Sequence, residues 1–140
     1  GGASFSVAFR AKHTESEATK AAAAEAYKMA NLKPSDISVA ECHDCFSFTE
    51  IMNVEDLCFT EKGKGGFFAE EGHSRLGGKL PINTSGGLLS ESGMPGLQLV
   101  MEGVRQMRGT ANLQVPGAKV CLVSNQGGTM HTHSTLILGN

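Results

Sequence analysis

The sequence predicts an α/β domain, a sheet covered by helices. Three observations predict it. Segments with helical apolar spacing alternate along the chain with short apolar runs of strand length. Two segments carry the Ser/Thr-x-x-Glu pattern that opens helices, at Thr14-Glu15-Ser16-Glu17 and Ser47-Phe48-Thr49-Glu50. Glycine clusters at Gly63-Lys64-Gly65-Gly66, Gly77-Gly78, Gly86-Gly87 and Gly127-Gly128 mark turns between ordered segments, and no internal repeat or domain boundary interrupts them.

Phe5 to Phe9 reads as a strand. The first capping box, with Thr14 capping and Glu17 reaching back, opens an Ala-rich helix that runs to about Leu32. Ala18, Ala22, Ala26 and Met29 share a face there, and small side chains let that face approach a sheet closely. Pro34 stops the helix, with Ser35 and Asp36 in the turn. Ile37 to Cys42 reads as a strand, and the second capping box opens a helix reaching about Phe59 with Phe48, Ile51, Met52 and Leu57 apolar. Thr60 to Leu80 is a polar, Gly-rich excursion, and Ile82 to Gly87 is a tight Gly-ended segment. Gly96 to Met107 has helical spacing of Leu97, Val100, Met101, Val104 and Met107, and Gly109 ends it. Met101 and Met107 belong to the core by that spacing. Lys119 to Ser124 and Ser134 to Leu138 read as strands joined by a turn at Asn125-Gln126-Gly127-Gly128.

The 140 residues fit one domain of ordinary size, and 40% apolar content suffices for a packed core. The net charge of −2, without a Lys/Arg block, gives no footing for a nucleic-acid or acidic-membrane surface. No apolar run approaches the roughly 20 residues that span a bilayer. The chain opens Gly1-Gly2-Ala3-Ser4-Phe5, without Met or a signal-peptide pattern, and reads as a cut or processed end. Cys42, Cys58 and Cys121 sit in apolar runs as small core hydrophobes, so reduced thiols and a cytoplasmic setting are expected. Cys42-His43-Asp44-Cys45 is formally C-x-x-C. A zinc knuckle wants a second pair, which the sequence lacks, and a thioredoxin-type site is only partly matched in context. No metal site is expected. His131 and His133 alternate on a strand and make a weak ligand pair.

Three polar clusters fall at ends of predicted elements: His43-Asp44-Cys45-Phe46, Asn83-Thr84-Ser85-Gly86-Gly87 and Ser124-Asn125-Gln126-Gly127-Gly128. Ligands gather at strand ends in open α/β sheets. Cys45 precedes a predicted helix N-terminus, whose positive end favours a thiolate, and His43 is placed to polarise an acyl oxygen. On spacing alone, a buried strand-end Cys and a hydrogen-bonded His are the commoner outcome of such a pattern.

The ordered string is more specific than any single motif. Glu41-Cys42-His43-Asp44-Cys45-Phe46 is followed by Glu50, Gly63-Lys64-Gly65-Gly66, Gly77-Gly78-Lys79 and Ile82-Asn83-Thr84-Ser85-Gly86-Gly87-Leu88. Gln106-Met107-Arg108-Gly109 and Gln114-Val115-Pro116-Gly117-Ala118-Lys119-Val120 complete it. From about Glu15 to Leu138 the chain resembles the C-terminal domain of sterol-carrier-protein (lipid-transfer-protein) thiolases. The resemblance implies the C-terminal half of the αβαβα thiolase fold, a mixed sheet covered by helices, with residues 1–140 forming that one domain and the N-terminal half absent. It implies an acyltransferase that makes or cleaves C–C bonds of CoA thioesters, with the CoA thioester as substrate and no further cofactor, and with an isolated domain that is inactive. Cys45 would be the general acid/base and His43 part of an oxyanion site. Asn83 would order the site, and Phe46, Gly86, Gly87 and Met94 would lie against substrate. The implied partners are the N-terminal thiolase half, a second copy in a homodimer, and a small zinc-ribbon/OB-fold subunit.

One stretch departs from the family. Gly93-Met94-Pro95-Gly96 stands where it has G-H-P-x-G-A-T-G, so Met94 replaces a catalytic His and about four residues of the turn are missing. Methionine cannot shuttle a proton. The departure leaves open a thiolase-like aldolase that performs retro-aldol cleavage of steroid-type side-chain CoA thioesters, or a non-catalytic scaffold. His73, His131 and His133 are the candidate substitutes for the missing imidazole. Phe67 and Phe68, adjacent in the Gly-rich excursion, are candidates for docking an acyl chain or a subunit.

Overall fold

The structure, a computed structural model, describes residues 2–4, 15–91, 96–128 and 132–140. Strand β1 spans Gly2–Ser4, helix α1 Glu17–Ala30, strand β2 Val39–Cys42 and helix α2 Ser47–Asp56. Short helices α3 (Gly65–Glu70) and α4 (Gly87–Ser90) follow, then helix α5 (Leu97–Arg108) and strands β3 (Val120–Gly127) and β4 (Thr132–Gly139). The sheet order is β1-β4-β3-β2, with β2 parallel to β3 and the other two pairings antiparallel. Ile82 adds a single parallel bridge to Ala40 at the β2 edge.

Strand periodicity divides the core between two faces. Ala40, Cys42 and Leu122 pack with Ala23 and Tyr27 of α1 and Val54 of α2. Val39, Cys121 and Val123 pack with Leu99 and Met107 of α5. Helix α5 lies close against the sheet at Gly103, where a Cβ would sit 2.9 Å from a Val123 methyl and 3.1 Å from the Cys121 sulfur.

Several expected boundaries shift for local reasons. Ser16, rather than Thr14, caps α1 by accepting from the Thr19 amide, and Thr14 lies outside the described residues. Glu17 is the first helical residue, and Asn31 ends the helix in the left-handed region. Met29 is 76% exposed and does not share the buried Ala18, Ala22 and Ala26 face. Helix α2 starts one residue earlier than its predicted box. Phe46 is the N-cap, and the Thr49 hydroxyl reaches back to accept the Phe46 amide hydrogen. The predicted strand over Phe5 to Phe9 also lies outside the described residues.

Three larger corrections follow. The Gly-rich excursion contains α3, which buries Phe68 and leaves Phe67 exposed beneath the Lys64 ammonium, with both rings lining one outer cleft. Strand β3 continues through Asn125 and Gln126 to Gly127, where a turn was expected. Helix α5 buries Gln98, Leu99, Glu102, Gly103, Gln106 and Met107, whereas Leu97 and Met101 are exposed. Of the apolar stripe legible in the sequence, Met107 joins the core as expected and Val100 packs against it, whereas Met101 is not a core residue.

Candidate active site

The parallel β2–β3 pair ends where the chain turns out as His43-Asp44-Cys45. Cys42 pairs with Ser124, and the next amide, His43 N, still donates to the Ser124 carbonyl at 2.9 Å. Beyond that point β2 stops and β3 runs on, so residues 43–45 lie beside Asn125 and Gln126. This is the carboxyl end of two parallel strands, the usual position of sites in open α/β sheets.

His43 is buried, and its Nδ1 lies 3.5 Å from Asn125 Oδ1. The Asn125 amide has its own anchor: Nδ2 donates to the Gly96 carbonyl at 3.3 Å, which turns Oδ1 toward the imidazole. An oxygen facing Nδ1 favours the tautomer with hydrogen on Nδ1 and leaves Nε2 as an acceptor in the neutral ring. Burial holds the imidazole below its usual titration range, partly offset by Asn125 and Asp44. Donation from Nε2 thus requires the imidazolium.

Cys45 is half-buried and free. Its sulfur lies 3.1 Å from Gln126 Nε2 and 3.7 Å from Thr49 Oγ1. Phe46, the next residue, is 61% exposed and stacks on Phe48 with ring centroids 5.5 Å apart. The thiol therefore sits beside an open apolar surface. Cys42, by contrast, is completely buried, and burial raises its thiol well above the usual value. The two cysteines of the C-x-x-C string have different environments and are not disulfide-linked.

The 83–87 segment is fastened to this loop from below. Asn83 adopts positive φ, accepts the Cys42 amide hydrogen on Oδ1 at 2.7 Å, and faces Glu50 through Nδ2 at 3.5 Å. Asp44 accepts the Leu88 amide at the start of α4 at 2.7 Å. Gly87 has φ +66 and lies against Asp44, so any Cβ there would overlap the carboxylate. Gly86 and Gly87 thus belong to the scaffold of the loop, as does Asn83.

Two carboxyls behind the site, half-buried Glu50 and buried Glu41, are shifted strongly. Glu50 is pushed up to about 8, chiefly by burial and then by Asp44 and Glu41. Glu41 is also pushed up to about 8, chiefly by burial, with Glu102 and Glu91 adding to it against Thr84. The Thr84 hydroxyl lies 2.8 Å from both Glu41 Oε1 and Glu102 Oε1 and accepts from Gln106 Nε2 at 2.8 Å. Val115 N donates to Gln106 Oε1, which fixes the Gln106 amide orientation. One hydroxyl hydrogen cannot serve two carboxylates, so the cluster needs a carboxyl proton as well.

The candidate replacement imidazoles lie elsewhere or have other partners. His133 is buried between Ser124 Oγ at 2.6 Å and Thr19 Oγ1 at 3.0 Å, and burial followed by His43 pushes it down to about 4. His73 packs on Phe68 and faces Glu71, lining an outer cleft of about 350 Å³ with Lys64 and Lys79. His131 and Met94 lie outside the described residues. The sequence singled out the 124–128 cluster without assigning roles within it. Within that cluster Asn125 faces the imidazole and Gln126 the thiol.

A thiol and an imidazole thus lie at the carboxyl end of parallel strands, each against one of two adjacent residues of β3. Residues 3–140 match the family described as Thiolase C-terminal domain-like, and the chain belongs to that family. It is 47% identical over 120 residues to an acetyl-CoA acetyltransferase of Methanothermobacter thermautotrophicus, covering 83% of this chain and 31% of that protein. It is 46% identical over 113 residues to sterol carrier protein 2 of Oryctolagus cuniculus, covering 78% of this chain and 21% of that one. The solved structure titled Ltp2-ChsH2(DUF35) aldolase superposes with a TM-score of 0.91 at 32% identity, over 99% of this chain and 38% of that one. The chain therefore spans about a third or less of the curated relatives it matches, and the fold is the C-terminal half of the thiolase architecture.

Proposed function

We propose that the protein to which this domain belongs is a thiolase-type acyltransferase acting on a CoA thioester, making or cleaving a C–C bond beside the thioester carbonyl. The observation that carries the reading is the placement of Cys45 against Gln126 and of His43 against Asn125 at one strand end. Moving one proton from the thiol to the imidazole produces both groups the chemistry needs. The Cys45 thiolate takes the α-proton of the thioester: the C–H bond breaks, an S–H bond forms, and the electron pair moves onto the thioester oxygen. The His43 imidazolium donates its Nε2 hydrogen to that oxygen. Phe46 offers its exposed ring to the acyl portion, while Asn83, Gly86 and Gly87 hold the loop in register. Residues 1–140 act as one domain, and the isolated chain is inactive because the acyl-carrying group lies in the missing half.

The aldolase reading is favoured by Met94, which stands where the thiolase pattern has His, and by the 0.91 superposition on an aldolase. Both reactions pass through an enolate, so the same two residues serve either. The remaining partners are part of the proposal. The N-terminal half covers the exposed α5 stripe of Leu97 and Met101, the full-length protein is a cytoplasmic homodimer, and a small zinc-ribbon/OB-fold subunit joins it. Among the described residues, no helix is long and apolar enough to cross a membrane.

The test is product analysis of the full-length protein with acetyl-CoA and with a β-hydroxyacyl-CoA. Free CoA with a condensed acyl product supports acyl transfer, and a released ketone or aldehyde supports the aldolase. Absence of turnover on both substrates, with the small subunit present, would leave only a scaffold role.

A further inference from the structure

We propose that Gln126 is a positioning residue for the negative charge on Cys45, its side-chain amide donating to the sulfur throughout the proton transfer. This rests on the reading of Cys45 as the base. Among the described residues the sulfur has two polar neighbours: Gln126 Nε2 at 3.1 Å and Thr49 Oγ1 at 3.7 Å. They act on opposite protonation states. The Thr49 hydroxyl gives its only hydrogen to the Phe46 carbonyl at 2.6 Å, so toward the sulfur it is an acceptor. Thr49 can take the hydrogen of a thiol but offers nothing to a thiolate. Gln126 can donate in either state, and a hydrogen bond to an anion is the stronger kind.

The rest of the Gln126 side chain fits that role. Its Oε1 is buried and has no partner among the described residues. An orphaned buried acceptor is costly, so an amide kept in this orientation points to a demand on its donor. Reversing the amide would set Oε1 against the sulfur and leave a thiolate without that donor. The donor is also pre-aimed. Gln126 sits in the ladder opposite His133, and His133 is itself fixed between Ser124 and Thr19. Pairing of β3 with β4 therefore fixes the backbone that carries the amide, as a preorganised charge stabiliser requires.

The measurement is the rate of iodoacetamide alkylation at Cys45, resolved from other cysteines by peptide mass spectrometry, on the full-length protein from about pH 6 to 9. The variants are Gln126→Glu and Gln126→Leu. Gln126→Glu is nearly isosteric but places a carboxylate against the sulfur, so alkylation at neutral pH falls at least about tenfold and the pH midpoint moves up by about one unit or more. Gln126→Leu moves the midpoint in the same direction by less, about threefold in rate at neutral pH. Cys58, exposed and free, is the control in the same sample and keeps its profile. A purely structural role would alter the high-pH plateau through accessibility and leave the midpoint in place. Midpoints that coincide with wild type in both variants, or that move down, overturn the proposal. If Cys45→Ser retains full turnover while the midpoint still moves, the base assignment fails and the Gln126–sulfur contact stands.

Discussion

Raising the pH from 6.5 to 8 should weaken this domain, and replacing Glu41 by Gln should remove much of that weakening. Glu41 has an ordinary value of 4.5 and is pushed to about 8 in the fold. Across that window the folded chain holds a proton that the unfolded chain has already released. Stability falls as pH rises wherever the native state holds more protons. The contribution of Glu41 is fully present below about pH 4.5 and is lost as pH climbs through about 8. Its largest slope is about 1.4 kcal/mol per pH unit. Glu50 acts in the same direction over the same range, since it too is pushed to about 8. His133 acts in the opposite direction, because it is pushed from 6.5 to about 4 and its neutral form stabilises the fold as pH rises between those values. The histidine and carboxyl effects oppose each other below pH 6.5 and separate above it. Urea unfolding at half-unit steps, for wild type and Glu41→Gln, isolates the Glu41 slope by difference. Glutamine keeps an Oε1 that can accept from Thr84, and it carries no charge to release. The difference should grow in the variant's favour as pH rises, by up to about 1.4 kcal/mol per unit. Equal pH slopes in the two proteins would refute the shared-proton account of the Glu41–Thr84–Glu102 cluster.

Three further outcomes follow from the packing. Gly87→Ala introduces a Cβ at φ +66 against the Asp44 carboxylate and should cost about 1–3 kcal/mol by urea unfolding, with loss of activity in the full-length protein. Leu99→Ala, at a fully buried position of the α5 core, should cost about 2–5 kcal/mol. The double change Leu97→Gln with Met101→Gln should alter the stability of the 140-residue chain by under about 1 kcal/mol. If the N-terminal half covers α5 as proposed, the same change should lower the unfolding midpoint of the full-length protein markedly. An equal effect in both forms would argue against an N-terminal half seated on α5.

Much of this architecture was legible from residue spacing. Helices α1, α2 and α5 and strands β2, β3 and β4 follow from apolar periodicity, and Gly109 ends α5 in the left-handed region as a C-cap glycine should. The misreadings share a cause: each concerned which face or boundary the tertiary structure selects. The apolar stripe of α5 drew attention to Leu97 and Met101, yet the sheet-facing side carries Glu102 and Gln106, made tolerable inside by Thr84 and Val115. A hydrophobic pattern cannot report a buried polar cluster whose partners lie 18 and 43 residues away in sequence. Gly127-Gly128 suggested that the turn began at Asn125, whereas pairing with β4 carries the strand to Gly127. Ser47 looked like a cap because its hydroxyl suits the position, but the Thr49 hydroxyl serves the Phe46 amide from inside the helix. At the site, His43 and Cys45 stood out through motif and family resemblance. Asn125 and Gln126 carry no such signal, since their importance lies in which atom each amide presents, and to which neighbour.

Acyl transfer and retro-aldol cleavage share enolate formation, so proton exchange at the α-carbon isolates that step. Deuterium incorporation into acetyl-CoA in D₂O, followed by mass spectrometry, can be compared for the full-length protein, Cys45→Ser and His43→Ala. Each substitution should slow incorporation by about 10²- to 10⁴-fold while the unfolding midpoint stays near wild type. Wild-type exchange rates in a folded Cys45→Ser protein would contradict the assignment of this thiol as the base.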